Sequence, residues 1–145
     1  MSKINELQIL HKLFNYVVIP PSVKQEVLVD NKPGYFVIEN AIKEGWIKVM
    51  TPKNNPDFGL GSGENSVINL AKERKETIIM DDAFAMKVAN VFNIRAIRTT
   101  SIIFLAVKKG IINKQKAVSL LNKIIEVGYY ISPKEYSILL NKLKE

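Results

Sequence analysis

The sequence predicts an α/β protein with a short, mostly parallel sheet flanked by helices, and three observations carry that prediction. Short apolar runs at residues 16–19, 46–50, 77–80 and 95–98 alternate with longer stretches whose apolar residues recur at helical spacing. Alternation of this kind builds βα units and parallel strands. Carboxylates stand at the ends of these stretches: Glu64 opens one, and Asp81-Asp82 directly follow Ile78-Ile79-Met80. Finally, 145 residues suffice for one domain with a core that needs no covalent staple.

Each element has its local reason. Ile4, Leu7, Leu10, Leu13 and Phe14 share helical spacing over residues 4–14, and Tyr16-Val17-Val18-Ile19 is a strand stopped by Pro20-Pro21. Pro21 or Ser22 opens a second helix carrying Val23, Glu26 and Val27, which Asp30-Asn31-Lys32-Pro33-Gly34 breaks. A third helix is expected at Tyr35–Glu44, closed by Gly45, and then an alternating edge strand over residues 46–50. The polar, turn-rich residues 51–57 form a loop. Helices are then expected over residues 64–75, 83–92 and 101–109, with strands at 77–80 and 95–98 between them. Two more helices complete the chain, the first on Ala117, Leu120, Leu121 and Ile124, the second on Tyr136, Leu139, Leu140 and Leu143 after Ser132-Pro133. The chain thus reads as a single domain over 1–145, with 114–145 a helical C-terminal extension of it.

Composition removes several chemistries. The chain has no cysteine, which excludes disulfides, thiolate metal sites and cysteine nucleophiles. Its one histidine, His11, excludes a multi-histidine metal site, so any metal site must be oxygen-rich, the donor class of magnesium, calcium and manganese. A net charge of +7 favours polyanionic partners. Lysine supplies 18 of the 21 basic residues, which favours diffuse attraction over the bidentate contacts of arginine. The chain has neither an apolar run of membrane-spanning length nor the start of a signal peptide, so a soluble cytoplasmic protein is expected.

Among the carboxylates, Glu64 lies three and four residues before Val67 and Ile68, above the core-facing stripe of its helix, although a first-turn acid also serves the helix dipole. Asp81 and Asp82 repel one another unless one caps a helix or a cation neutralises them. Asp82 is the expected N-cap and Asp81 the expected ligand. Glu26 alone reads as a solvated helix residue, and Thr99-Thr100-Ser101 as a helix cap. His11 reads as a surface residue and Trp46 as a packing anchor. The glycine-rich residues 59–63 lack the lysine and spacing of a Walker loop.

In order and spacing, these pieces resemble the PIN-domain nucleases, in particular a small prokaryotic PIN-like group. The resemblance is carried by Leu10-His11-Lys12-Leu13-Phe14, Val18-Ile19-Pro20-Pro21 with Glu26, Gly63-Glu64 through Leu70-Ala71, Ile78-Ile79-Met80-Asp81-Asp82, Ile97-Arg98-Thr99, residues 106–112 and Gly128-Tyr129-Tyr130-Ile131-Ser132. It implies a three-layer sandwich and a magnesium- or manganese-dependent ribonuclease. Glu26, Glu64 and Asp81 would be its catalytic and metal-holding acids, with Asp82 and Thr99 as auxiliaries. A bound metal would lower the pKa of its water and stabilise charge on the phosphate. RNA is the implied partner, and an antitoxin-like protein or a homodimer remains open. The alternative is a catalytically inactive RNA-binding or protein-interaction module; an ordinary nucleotide-binding domain is a third reading.

Two departures accompany the resemblance. Members of the group begin with a central strand ending in an aspartate, whereas Met1-Ser2-Lys3 falls where the first helix is already under way. The chain therefore reads as N-terminally truncated relative to the family. Three solutions are open: residues preceding Met1, closing of ranks by the remaining strands, or filling of the gap by another chain or segment. Met86 is the second departure, standing where the group often has a basic residue.

Overall fold

The computed structural model describes residues 6–27 and 34–144. Chain order is α1 (Gln8–Leu13), β1 (Val17–Ile19), α2 (Pro21–Val27), α3 (Tyr35–Glu44), β2 (Ile47–Val49), α4 (Ser62–Arg74), β3 (Ile78–Ile79), α5 (Ala83–Val91), β4 (Ala96–Ile97), α6 (Thr99–Lys108), α7 (Lys114–Glu126) and α8 (Pro133–Lys144). The expected start of the first helix at Ile4, and the break at Asp30 to Pro33, lie outside the described residues.

Local chemistry explains the boundaries. Pro21 occupies the first helical position of α2, where its missing N–H is not needed and its fixed φ suits a helix. Gly34 and Gly45 bracket α3 in the left-handed region, at φ 90° and 91°. Asp82 caps α5 by accepting the Ala85 N–H at 2.9 Å, and Asn113 caps α7 by accepting that of Lys116 at 2.7 Å. The C-cap of α4 is Lys75, a non-glycine residue at φ 54°.

The expected α/β class holds: short parallel strands are flanked by helices throughout. Their arrangement differs from one short sheet. Strand β1 pairs in parallel with β2, in the register Val17↔Ile47 to Ile19↔Val49, and β3 pairs in parallel with β4, Ile78↔Ala96 and Ile79↔Ile97. The two pairs form separate sheets, so β1 and β3 have not closed ranks. Among the described residues no strand stands between them.

Two apolar clusters hold the layers together. The larger joins α1, α3, β2, α6, α7 and α8 through residues such as Ile102, Ile103, Leu120 and Leu121, all fully buried. The smaller packs α4, β3 and α5 through Ile68, Ile78, Ala85 and Ala89. Trp46 is buried in the larger cluster, and His11 lies flat on it with ring centroids 4.4 Å apart, an exposed ring covering a buried one.

Residues 51–57 are a loop, as expected, but a tethered one. The α4 amides Asn65 and Asn69 are both buried, and each donates to Asn55 Oδ1 and to the Pro56 carbonyl. Asn65 Oδ1 accepts the Phe58 N–H at 2.9 Å, and Glu73 Oε1 accepts those of Lys53 and Asn54. The loop is thereby strapped along α4, the helix whose first turn presents Glu64.

Candidate acidic site at the carboxyl edge

The carboxyl ends of β1 and β3 lead into the residues expected to do chemistry. After Ile19 the chain turns at the buried Pro20 into α2, whose exposed Glu26 faces the first turn of α4. The contact is close because Gly63 has no side chain: a Cβ there would lie 2.8 Å from Glu26 Oε1. Ser22 Oγ donates to the Ser62 carbonyl at 3.3 Å, a second tie between the two helices. Glu64 follows directly, at the third position of α4, half-buried and reaching back over Gly61. A carboxylate there is favoured by the unpaired amides and the dipole of the helix N-terminus.

Asp81 ends β3 and is half-buried. Its Oδ1 accepts the Thr99 N–H at 2.9 Å and the Tyr129 hydroxyl at 3.0 Å, while Oδ2 accepts the Thr99 hydroxyl at 2.6 Å. The carboxylate thus bolts the end of β3 to the start of α6 and to the segment after α7. Loss of hydration pushes the Tyr129 phenol up to about 12, and the charge and hydrogen bond of Asp81 add to the shift. Asp82 is exposed and spent on capping α5.

Thr99 is placed differently from the expected cap. Helix α6 begins at Thr99 itself, two residues before the expected start, and its N-cap Arg98 makes no side-chain capping bond. The buried Thr99 hydroxyl is turned to Asp81 instead. Sequence reading missed Tyr129 as a partner of this site, since nothing local marks a residue 48 positions from Asp81 as its neighbour. It also missed Asn65 and Asn69, whose positions on the inward stripe of α4 were the available signal. Met86 packs against the smaller apolar cluster.

A cavity of about 650 Å³ connects the acids to the opposite end of the strands. Glu26, Gly63, Glu64 and Thr99 line it near the carboxyl edge, and Tyr16, Arg74 and Glu76 near the strand beginnings. At that second end Tyr16 donates to Glu76 Oε2 at 3.2 Å, and Arg74 pairs with Glu76, a contact that raises the guanidinium above its ordinary pKa. Asp81 is not among the lining residues.

Layered helices over short parallel strands, with acids gathered at their carboxyl ends, describe the geometry. A family model described as a PIN domain matches residues 1–145. The chain belongs to the PIN-domain family. No curated protein and no solved structure matches it. PIN domains are nuclease-type proteins that generally use divalent metals, and RNA is their characteristic substrate. No helix among the described residues is long and apolar enough to cross a membrane.

Glu26 and Glu64 supply the hard oxygen donors that magnesium or manganese takes. Both Asp81 oxygens already accept hydrogen bonds, and no group of three aspartate, glutamate or histidine side chains suited to a metal is assembled among the described residues. The described residues of this PIN domain therefore do not by themselves assemble a metal site.

Proposed function

We infer that the protein is a PIN-domain ribonuclease of the magnesium- or manganese-dependent class, with Glu26, Glu64 and Asp81 as its acids. The observation that carries this reading is that Glu26, which lies against Gly63, and Glu64, which reaches back over Gly61, line one cavity near the edge where Asp81 ends β3. Carboxylates that line one cavity beside a helix N-terminus are hard oxygen donors of the kind a magnesium or manganese ion takes. In this reading Glu26 and Glu64 contact the cation, Asp81 fixes the end of β3 through Thr99 and Tyr129, and Asp82 holds α5 in place. The basic surface draws in the RNA backbone.

The test is hydrolysis of a labelled single-stranded RNA with manganese, with chelator and with the Glu64→Gln variant, alongside the melting temperature with and without manganese. Manganese-dependent cleavage and a manganese-dependent rise in melting temperature are expected, both lost in Glu64→Gln. Cleavage that persists with chelator refutes the reading.

One observation favours a second reading, an RNA-binding or protein-interaction module without catalysis: the described residues do not complete a three-ligand site. It predicts salt-sensitive RNA binding with no manganese-dependent cleavage. An antitoxin-like partner or a homodimer belongs to this reading, and co-elution on size exclusion would reveal either.

A further inference from the structure

Positive charge is unevenly distributed along the chain. Residues 83–145 hold 11 basic and 3 acidic residues, whereas residues 1–82 hold 10 basic and 11 acidic ones. The basic excess therefore belongs to the part that begins at α5. That part meets the carboxyl edge at three places, and each is anchored by the aspartates that end β3. Asp82 caps α5, Asp81 accepts the Thr99 N–H and hydroxyl at the start of α6, and it accepts the Tyr129 hydroxyl after α7.

Each anchor carries an exposed side chain beside it. Phe84, two residues after the Asp82 cap, is 54% exposed, and Tyr130, next to Tyr129, is 82% exposed. Arg98, next to Thr99, is exposed as well. Consecutive Cα atoms are about 3.8 Å apart, so Arg98 and Tyr130 both stand close to the Asp81 network. The charge of Arg98 is felt at the Tyr129 hydroxyl, where it works against the upward shift set first by lost hydration. None of the three side chains has another task in the fold. Neither ring belongs to the two apolar clusters, and Arg98 makes no capping bond and, among the described residues, no ion pair. Of the other two arginines, Arg74 pairs with Glu76, and Arg95 stands before β4 at the opposite end of the strands.

Exposed aromatic residues scattered singly need no explanation, but two with an unpaired arginine around one carboxylate network do. The same edge holds Glu26, Glu64, Asp81 and Asp82, so a polyanion gains little there from charge alone. Stacking avoids that penalty, because every base has a π-face that an aromatic ring can hold. In a duplex those faces are already taken by neighbouring bases. The planar guanidinium adds a two-bond grip on phosphate that lysine does not match.

We propose that Phe84, Tyr130 and Arg98 form a docking rim for single-stranded RNA around Asp81, the two rings stacking on unpaired bases and the guanidinium holding a backbone phosphate. This deepens the ribonuclease reading and rests on RNA as its substrate, while requiring no hydrolysis.

The probe is a fluorescein-labelled RNA of about ten nucleotides without self-complementarity, titrated into the full chain by anisotropy in chelator, against the same sequence as a duplex. The single strand is expected to bind at least about tenfold more tightly than the duplex. Tyr130→Ala, Tyr130→Leu and Phe84→Ala should each weaken it by at least about fivefold, and Tyr130→Phe, which keeps the ring, by less than about twofold. Arg98→Gln should lower the slope of log affinity against log salt by about 0.7, the share of one phosphate on a single strand, and Arg98→Lys should restore it. Tyr130 is exposed enough for its variants to keep the parental melt; if Phe84→Ala melts lower, the Tyr130 and Arg98 series decides. Absence of saturable RNA binding, equal binding of the duplex, parental affinity in Tyr130→Ala and Tyr130→Leu, or an unchanged salt slope in Arg98→Gln would each overturn the proposal. A dimer that dissociates in Tyr130→Ala while RNA affinity is unchanged would assign the rim to a protein contact and overturn it too. Failure of the ribonuclease reading would show instead as absent manganese-dependent cleavage with this binding pattern intact.

Discussion

Replacing Asp81 separates its structural work from any contact with a cation. The carboxylate accepts three hydrogen bonds, two from Thr99 and one from Tyr129, and Thr99 is only 9% exposed. In Asp81→Ala all three donors lose their acceptor; a buried donor left unsatisfied costs about 1–3 kcal/mol, and water can reach the half-buried Tyr129 hydroxyl, so a total of about 3 kcal/mol is expected. In Asp81→Asn the amide oxygen still accepts from the Thr99 N–H and from Tyr129. The amide nitrogen faces the Thr99 hydroxyl, which rotates to accept. Only the charge assistance is lost, and with it about 1 kcal/mol. Urea denaturation at neutral pH, with the slope m checked for constancy, measures both values. An Asp81→Ala protein within about 0.5 kcal/mol of the parent, or an Asp81→Asn protein as damaged as Asp81→Ala, would refute this account, since both results contradict a three-donor acceptor role.

Three further outcomes follow from the geometry. Gly63→Ala should keep or raise stability by about 0.5–1 kcal/mol through helix propensity, while its methyl displaces the mobile end of Glu26 and abolishes any manganese-dependent rise in melting temperature; an unchanged rise would separate Glu26 from the site. The Tyr129 phenol, identified by the absorbance titration that disappears in Tyr129→Phe, should ionise near 12 and move down towards 10.0 in Asp81→Asn without reaching it, because lost hydration is the larger cause. Its pKa is raised in the folded chain, so its contribution to stability is whole below pH 10.0 and disappears as pH rises through about 12; a loss centred well below pH 10.0 would contradict the assignment. Asn65→Ala and Asn69→Ala should couple in a double-mutant cycle by roughly 0.5–3 kcal/mol, because both amides serve Asn55 and Pro56; strictly additive losses would mean that the strap does not hold the loop.

Most of the element order was legible because it depends on local chemistry. The bounds of α3 were fixed by two glycines that only a left-handed turn requires, and the step from β1 to α2 by a proline pair that cannot continue a strand. The roles of neighbouring acids were less legible. Asp81 and Asp82 differ by one position, yet one caps the helix that follows and the other reaches two segments distant in sequence. Capping is a property of four consecutive residues, whereas the Asp81 network exists only after α6 and the segment beyond α7 have docked. Thr99 shows the same limit: its neighbours in sequence suggest a cap, and only the family resemblance set it beside the acids, where its neighbour in space is a carboxylate. The split of the sheet was anticipated only as an open choice, since periodicity assigns strands but not the gaps between them.

The split and the acidic edge are one structural problem. The cavity joins the polar cluster of Tyr16, Arg74 and Glu76 to Glu26, Glu64 and Thr99, through a middle lined by Val18 and Ile79. Helices α2 and α4 meet at Gly63 and are tied by the Ser22 hydrogen bond to the Ser62 carbonyl. The position of Glu26 relative to Asp81 therefore depends on how far apart the two strand pairs stand.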